Sequence, residues 1–117
     1  MKPVLKKASL LEKRAKIGSR EDIKAYLTYA SSLTRRVEAS KAVVGFFGGG
    51  LTDIIDNMLV IATPLVAIMG DFELSNLLGS LKVWLMKKKA EEVAELQQRD
   101  NMFSQSYDDM TTYNYGY

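Results

Sequence analysis

The sequence predicts an all-α fold: a small bundle of about four helices with a Gly-rich apolar hairpin at its centre and a flexible C-terminal tail. Three observations lead there. Apolar residues recur at spacings of three and four through most of the chain, no stretch sustains the alternation of a half-buried strand, and glycines punctuate the periodic runs. The expected organisation is one helical domain over residues 1–100, with a basic amphipathic helix in 1–18 and an apolar hairpin region in 42–86. An acidic, tyrosine-rich tail, 101–117, follows.

The first helix covers about residues 3–17. Val4, Ala8, Leu11 and Ala15 form one face, and Lys6, Lys7, Lys13, Arg14 and Lys16 occupy the remainder. Gly18 stops it. Ser19 then caps a second helix, with Asp22 three residues on in the manner of a capping box and Glu21 at the positive end of the helix dipole. Tyr26, Ala30, Leu33, Val37 and Val44 keep a seam with Ile23 and Leu27 beside it, so this helix can run from 20 to about 44. The run "GFFGGG" ends it, because each glycine forfeits roughly 1 kcal/mol of helix propensity.

A third helix is expected from Thr52 as N-cap, with Asp53 in its first turn. Pro64 removes a backbone donor and clashes with the preceding turn, which predicts a kink or break just before it and a short restart capped by Thr63. "GD" at 70–71 reads as a turn. The fourth helix spans about 72–99, with Phe72, Leu74, Leu77, Leu78, Leu81 and Leu85 assigned to one face. Beyond Asp100 the apolar period is lost, and the chain reads as a tail.

Composition removes whole classes of chemistry. The chain has no cysteine and no histidine, so disulfides, thiolate sites and the commonest general base and metal ligand are excluded. An enzyme is therefore not expected, and no cofactor is implied. Glu91, Glu92 and Glu95 lack the Glu-x-x-His partner of a di-metal bundle. They read as a solvated helix face, with Lys87 and Lys88 four residues before the first two. The charge is uneven. Residues 1–41 hold eleven Lys/Arg against four Asp/Glu, and residues 42–117 hold five against ten. A basic front half points to an anionic partner, a membrane surface or nucleic acid. The contact residues are Lys6, Lys7, Lys13, Arg14, Lys16, Arg35 and Arg36. No recognised nucleic-acid reading module accompanies them.

The apolar middle, "GFFGGGLTDIIDNMLVIATPLVAIMGD", admits three readings. As a phosphate loop it lacks a preceding strand and a Gly-Lys-Ser/Thr, and Asp53 and Asp56 would oppose the anion. As a membrane segment it offers twenty-eight residues, Ala42 to Met69, without Lys, Arg or Glu. Basic flanks at 35–41 and 82–89 would suit a hairpin or re-entrant dip, with Trp84 at interface depth. Yet each aspartate at a spanning helix's centre costs about 2.5–3.5 kcal/mol. As a bundle's central helix it needs no special device. The expectation drawn is burial in a membrane or between subunits, through Phe46, Phe47, Gly48, Gly49, Gly50, Leu59, Ile61, Leu65 and Ile68.

The function expected is that of a non-enzymatic structural or assembly protein, of the kind found in virus particles, membrane-perforating phage proteins and mobile-element accessories. The alternative is a soluble helical binding module, a nucleic-acid accessory or regulator. Self-association or a larger assembly is the expected partnership. The location follows as membrane-associated or within a particle, not secreted by a signal peptide, with the cytoplasm as alternative. In the tail, Tyr113, Tyr115 and Tyr117 are spaced by two, which in an extended chain sets three rings on one face for docking to a partner.

Overall fold

Local periodicity carries through to the tertiary structure. The computed structural model describes residues 2–40 and 50–115. Among them are four helices, α1 (Lys2–Ile17), α2 (Arg20–Ser40), α3 (Leu51–Met69) and α4 (Phe72–Tyr115), and no strand. The chain divides into two units, Met1–Met86 and Lys87–Tyr117.

The first unit is a helical bundle. Val4, Ala8 and Ala15 of α1 are buried, as are Ile23, Tyr26, Leu27, Ala30, Leu33 and Val37 of α2. These are the stripes the sequence announces. In α3 the buried positions are Leu51, Thr52, Ile55, Met58, Leu59, Ala62 and Val66, one stripe at spacings of three and four. The start of α4 completes the core with Leu74, Leu78, Leu81 and Leu85. Phe72 does not join them. It lies about 160° around the helix from Leu74 and is exposed, which corrects its assignment to the leucine face.

The helix ends show which signals the fold uses. At the α1–α2 corner the Ser19 N–H donates to Asp22 Oδ2 at 3.0 Å, and the N–H groups of Asp22 and Ile23 donate to the Ser19 carbonyl. One half of the expected capping box is therefore in place, the Asp22 carboxylate on the Ser19 N–H; among the described residues the Ser19 hydroxyl makes no reciprocal bond. Helix α3 starts differently from expectation. Its N-cap is Gly50, left-handed at φ 92°, with no side-chain cap. Thr52 is buried one position into the helix, where the apolar stripe needs it. Gly70, also left-handed (φ 63°), ends α3, and its N–H donates to the Val66 carbonyl at 3.1 Å.

Helix α3 also runs through Pro64 without a break. The Thr63 hydroxyl caps no restart and instead donates to the Leu59 carbonyl at 2.7 Å. Packing of the inner stripe on both sides of the proline holds the helix together, while Pro64 itself faces outward.

The second unit contains the rest of α4. The helix continues to Tyr115 instead of ending near Asp100. No Gly or Pro interrupts residues 80–115, so nothing in the backbone forces a stop. Lys88 in this unit is 1% exposed and donates to Glu91 Oε2 at 3.1 Å. The solvated-face reading fails for that lysine, which pairs at a spacing of three.

Candidate functional site

Two corners meet at one end of the bundle. Gly18–Ser19 joins α1 to α2, and Gly70–Asp71 joins α3 to α4. Arg20, the first residue of α2, ties them together. Its Nε donates to Asp71 Oδ2 at 2.5 Å, its Nη1 to Glu21 Oε1 at 2.8 Å and its Nη2 to Glu73 Oε2. Lys24 adds an ion pair of 2.8 Å with Glu73 Oε1. Asp71 serves both sides of the corner, because its Oδ1 accepts the Leu74 N–H at 3.0 Å and so caps α4.

The titration directions follow from these bonds. The Arg20 hydrogen bond, then the Leu74 N–H, hold the Asp71 carboxyl below its ordinary range. Lys24 first and Arg20 second do the same for Glu73. Reciprocally, Asp71 foremost raises Arg20, and Glu73 raises Lys24. All four groups are in contact with water, so screening limits what the network adds to stability. Its clearer effect is to leave the charges of this corner mutually satisfied.

Around the clamp the surface is apolar. Ile17 is 86% exposed, Ile68 83% and Phe72 80%, and Met69 is partly exposed. Along the outward face of α3, Val60 (65% exposed), Pro64, Ala67 and Ile68 follow one another at helical spacing. Asp53 and Asn57 occupy the same face nearer the N-terminus. The outer face of α3 is thus polar in its first half and apolar in its second.

The residues expected to be buried in an assembly or membrane scatter on this frame. Leu59 belongs to the bundle's own core, Ile61 and Leu65 are half-buried beside it, and Ile68 is on the exposed patch. Gly50 is an exposed cap. Phe46, Phe47, Gly48 and Gly49 lie outside the described residues. Trp84 is no free interfacial anchor, because its Nε1 donates to Glu38 Oε1 at 2.8 Å.

Of the basic residues, Lys6, Lys7, Lys13, Arg14 and Lys16 are exposed on α1, opposite its buried stripe. Two have internal roles as well. The Lys7 ammonium lies 4.8 Å from the centroid of the Tyr29 ring, and Lys16 is 3.8 Å from Glu12. Arg35 and Arg36 are exposed on a different helix, α2. In the tail, the backbone at Tyr113 and Tyr115 is helical, so the extended run that would align three rings is not formed there. Tyr117 lies outside the described residues. No group of three or more His, Cys, Asp or Glu able to hold a metal occurs among the described residues.

A groove of about 370 Å³ opens between α1 and α3. Leu5, Ile54, Met58 and Ile61 give it apolar walls, Tyr26 of α2 contributes to its lining, and Glu12 and Asp53 contribute carboxylates. Neither Tyr26 nor Arg20 announced this role in the sequence. Tyr26 falls on an apolar stripe and reads as core, and Arg20 finds its partners 51 and 53 residues away. No protein-family model, characterised protein or solved structure matches the chain.

Proposed function

We propose that the chain is a non-enzymatic assembly protein that joins a larger structure through the apolar outer half of α3 and the adjoining α3–α4 corner. The carrying observation is the exposure of Val60, Ile68 and Met69 on α3, whose opposite face is already committed to a core, together with Phe72 at the start of α4. Apolar residues exposed singly are ordinary, but a run of them rimmed by satisfied charges is the character of a contact surface.

The surface suits a protein neighbour, a second copy first of all, better than a lipid bilayer. Helix α3 is the one helix among the described residues long and apolar enough to cross a membrane, and 39% of that stretch is buried within the bundle. Its apolar outer half, from Val60 to Met69, is about 15 Å long, against a hydrocarbon core of about 30 Å. Crossing would also carry Asp53, Asp56 and Asn57 into lipid and pull the inner stripe from its partners. The basic outer face of α1 supplies a second, charged surface for an anionic neighbour in the same assembly.

Sedimentation velocity of the full chain, alongside the Ile68→Glu/Phe72→Glu variant, tests the reading. Wild type should self-associate with rising concentration, and the variant should remain monomeric with an unchanged melting temperature. A wild-type chain that stays monomeric and co-sediments with vesicles instead would place the apolar half against lipid. A monomer that binds no vesicles refutes the proposal.

A further inference from the structure

The α1–α3 groove is built differently from the assembly surface, and it does not depend on that surface. Its volume of about 370 Å³ falls within the range of small-molecule sites, about 300–1,000 Å³. Three helices contribute to it. Leu5 and Ile61 stand on opposite walls, and among the described residues the charged side chains in its lining are two carboxylates, Glu12 and Asp53. Asp53 makes no hydrogen bond or ion pair among the described residues, and the one partner of Glu12 is Lys16 at 3.8 Å, a long surface pair of little strength.

Tyr26 gives the independent sign of a ligand. It is 1% exposed, yet among the described residues no hydrogen bond reaches its hydroxyl. Among the described residues no fully enclosed side-chain nitrogen or oxygen lacks a partner, so the unpartnered hydroxyl keeps a small opening, and Tyr26 is part of the groove's lining. Buried tyrosine hydroxyls ordinarily find a partner. Burial first, and the nearby Glu12 charge second, push the phenol up to about 12, so it stays a neutral group able to accept as well as donate.

We infer that this groove binds a primary alkylammonium: an apolar chain between Leu5 and Ile61, with its cationic head held by Glu12, Asp53 and the Tyr26 hydroxyl. An ammonium has three N–H donors and no acceptor, and the groove offers three acceptors with, among the described residues, no competing cation in its lining. An anion is repelled by both carboxylates. A neutral chain of the same length gains the apolar contacts alone. Glu12 is the stronger anchor, because Asp53 sits in the first turn of α3, where the helix dipole already offsets part of its charge. The ammonium is either that of a free amine or that of a lysine side chain from a second copy.

Titrating the full-length, isotope-labelled protein with hexylammonium, hexanol and hexanoate, read by amide and side-chain NMR shifts, tests the inference. Hexylammonium should shift Leu5, Tyr26 and Ile61 together. Hexanol should bind about tenfold more weakly and hexanoate not measurably. Glu12→Gln should cost about tenfold for the ammonium, one charge-assisted hydrogen bond's worth, and leave hexanol unchanged. Both carboxylates are at the surface, so the variants should melt as wild type does, which separates lost binding from lost fold. Sedimentation with saturating hexylammonium then tells the sources apart. Dissociation of oligomers, matched by Glu12→Gln, identifies a lysine of a second copy; unchanged oligomers identify a free amine. The Ile68→Glu/Phe72→Glu variant should bind hexylammonium normally, so failure of the assembly reading leaves this one standing. Equal binding of hexanoate, or unchanged ammonium affinity in Glu12→Gln/Asp53→Asn, overturns the inference.

Discussion

Replacing Gly18 with alanine reverses the usual sign of that substitution. In an unconstrained linker, Gly→Ala stabilises a protein by about 0.4–1 kcal/mol, because the unfolded chain loses freedom. Gly18 does not have a left-handed backbone among the described residues, so conformation alone would permit the gain. Space does not permit it. A Cβ there would stand 2.5 Å from the Arg14 carbonyl oxygen and 2.6 Å from Asp22 Cγ, and closer still to Asp22 Oδ2. The carboxylate can swing away, but it then releases the Ser19 N–H and the cap is lost, at about 1 kcal/mol. The carbonyl is backbone in the last turn of α1, and moving it costs about a further 1–2 kcal/mol, as overpacking generally does. Set against the unfolded-state gain, the net expectation is a loss of about 1–2.5 kcal/mol, or about 4–10 °C in melting temperature for a chain of this size. Thermal unfolding followed by circular dichroism reads it directly. A double-mutant cycle with Asp22→Ala isolates the carboxylate's share, since Gly18→Ala should cost about 1 kcal/mol less in that background. A Gly18→Ala variant as stable as wild type, or more so, would mean that the Arg14 carbonyl and the Asp22 cap do not confine this corner, which is then a mere hinge.

Pro64→Ala should stabilise the protein by about 1–3 kcal/mol, seen as a higher urea midpoint. The helix is already continuous there, and alanine restores the missing donor without loss of packing; an unchanged midpoint would mean that the proline is unstrained. Acid titration should expose the Arg20 clamp. Asp71 and Glu73 lie below the ordinary carboxylate range in the fold, so the unfolded chain takes up protons first as pH falls. Their contribution is complete above about pH 5–6 and drains away as pH falls below that. In Arg20→Gln that acid-side loss should shrink, with melting temperatures at pH 3 and pH 7 drawn closer together; an unaltered difference would show that the clamp is energetically silent.

The helical class, the core stripes of α1 and α2, the Asp22 carboxylate on the Ser19 N–H and the turn at Gly70 were all legible in the sequence. Each is a local property. A period of 3.6 residues, a cap three positions from its partner and a glycine at a left-handed site are all written within a few consecutive residues. Apolar character alone does not put Phe72 in the core, because it stands about 160° around the helix from Leu74 and faces outward. A proline's local cost predicts a break in α3 at Pro64, but the packing of the stripe on either side keeps the helix continuous. What only the tertiary structure decided is everything that depends on how one helix is rotated against another. Arg20 meets Asp71, Trp84 meets Glu38, half of α3's apolar surface turns outward, and Tyr26 becomes part of a groove's lining. Those pairings span tens of residues. They are fixed by the crossing of helices whose side chains must interdigitate, and no short-range spacing records that geometry.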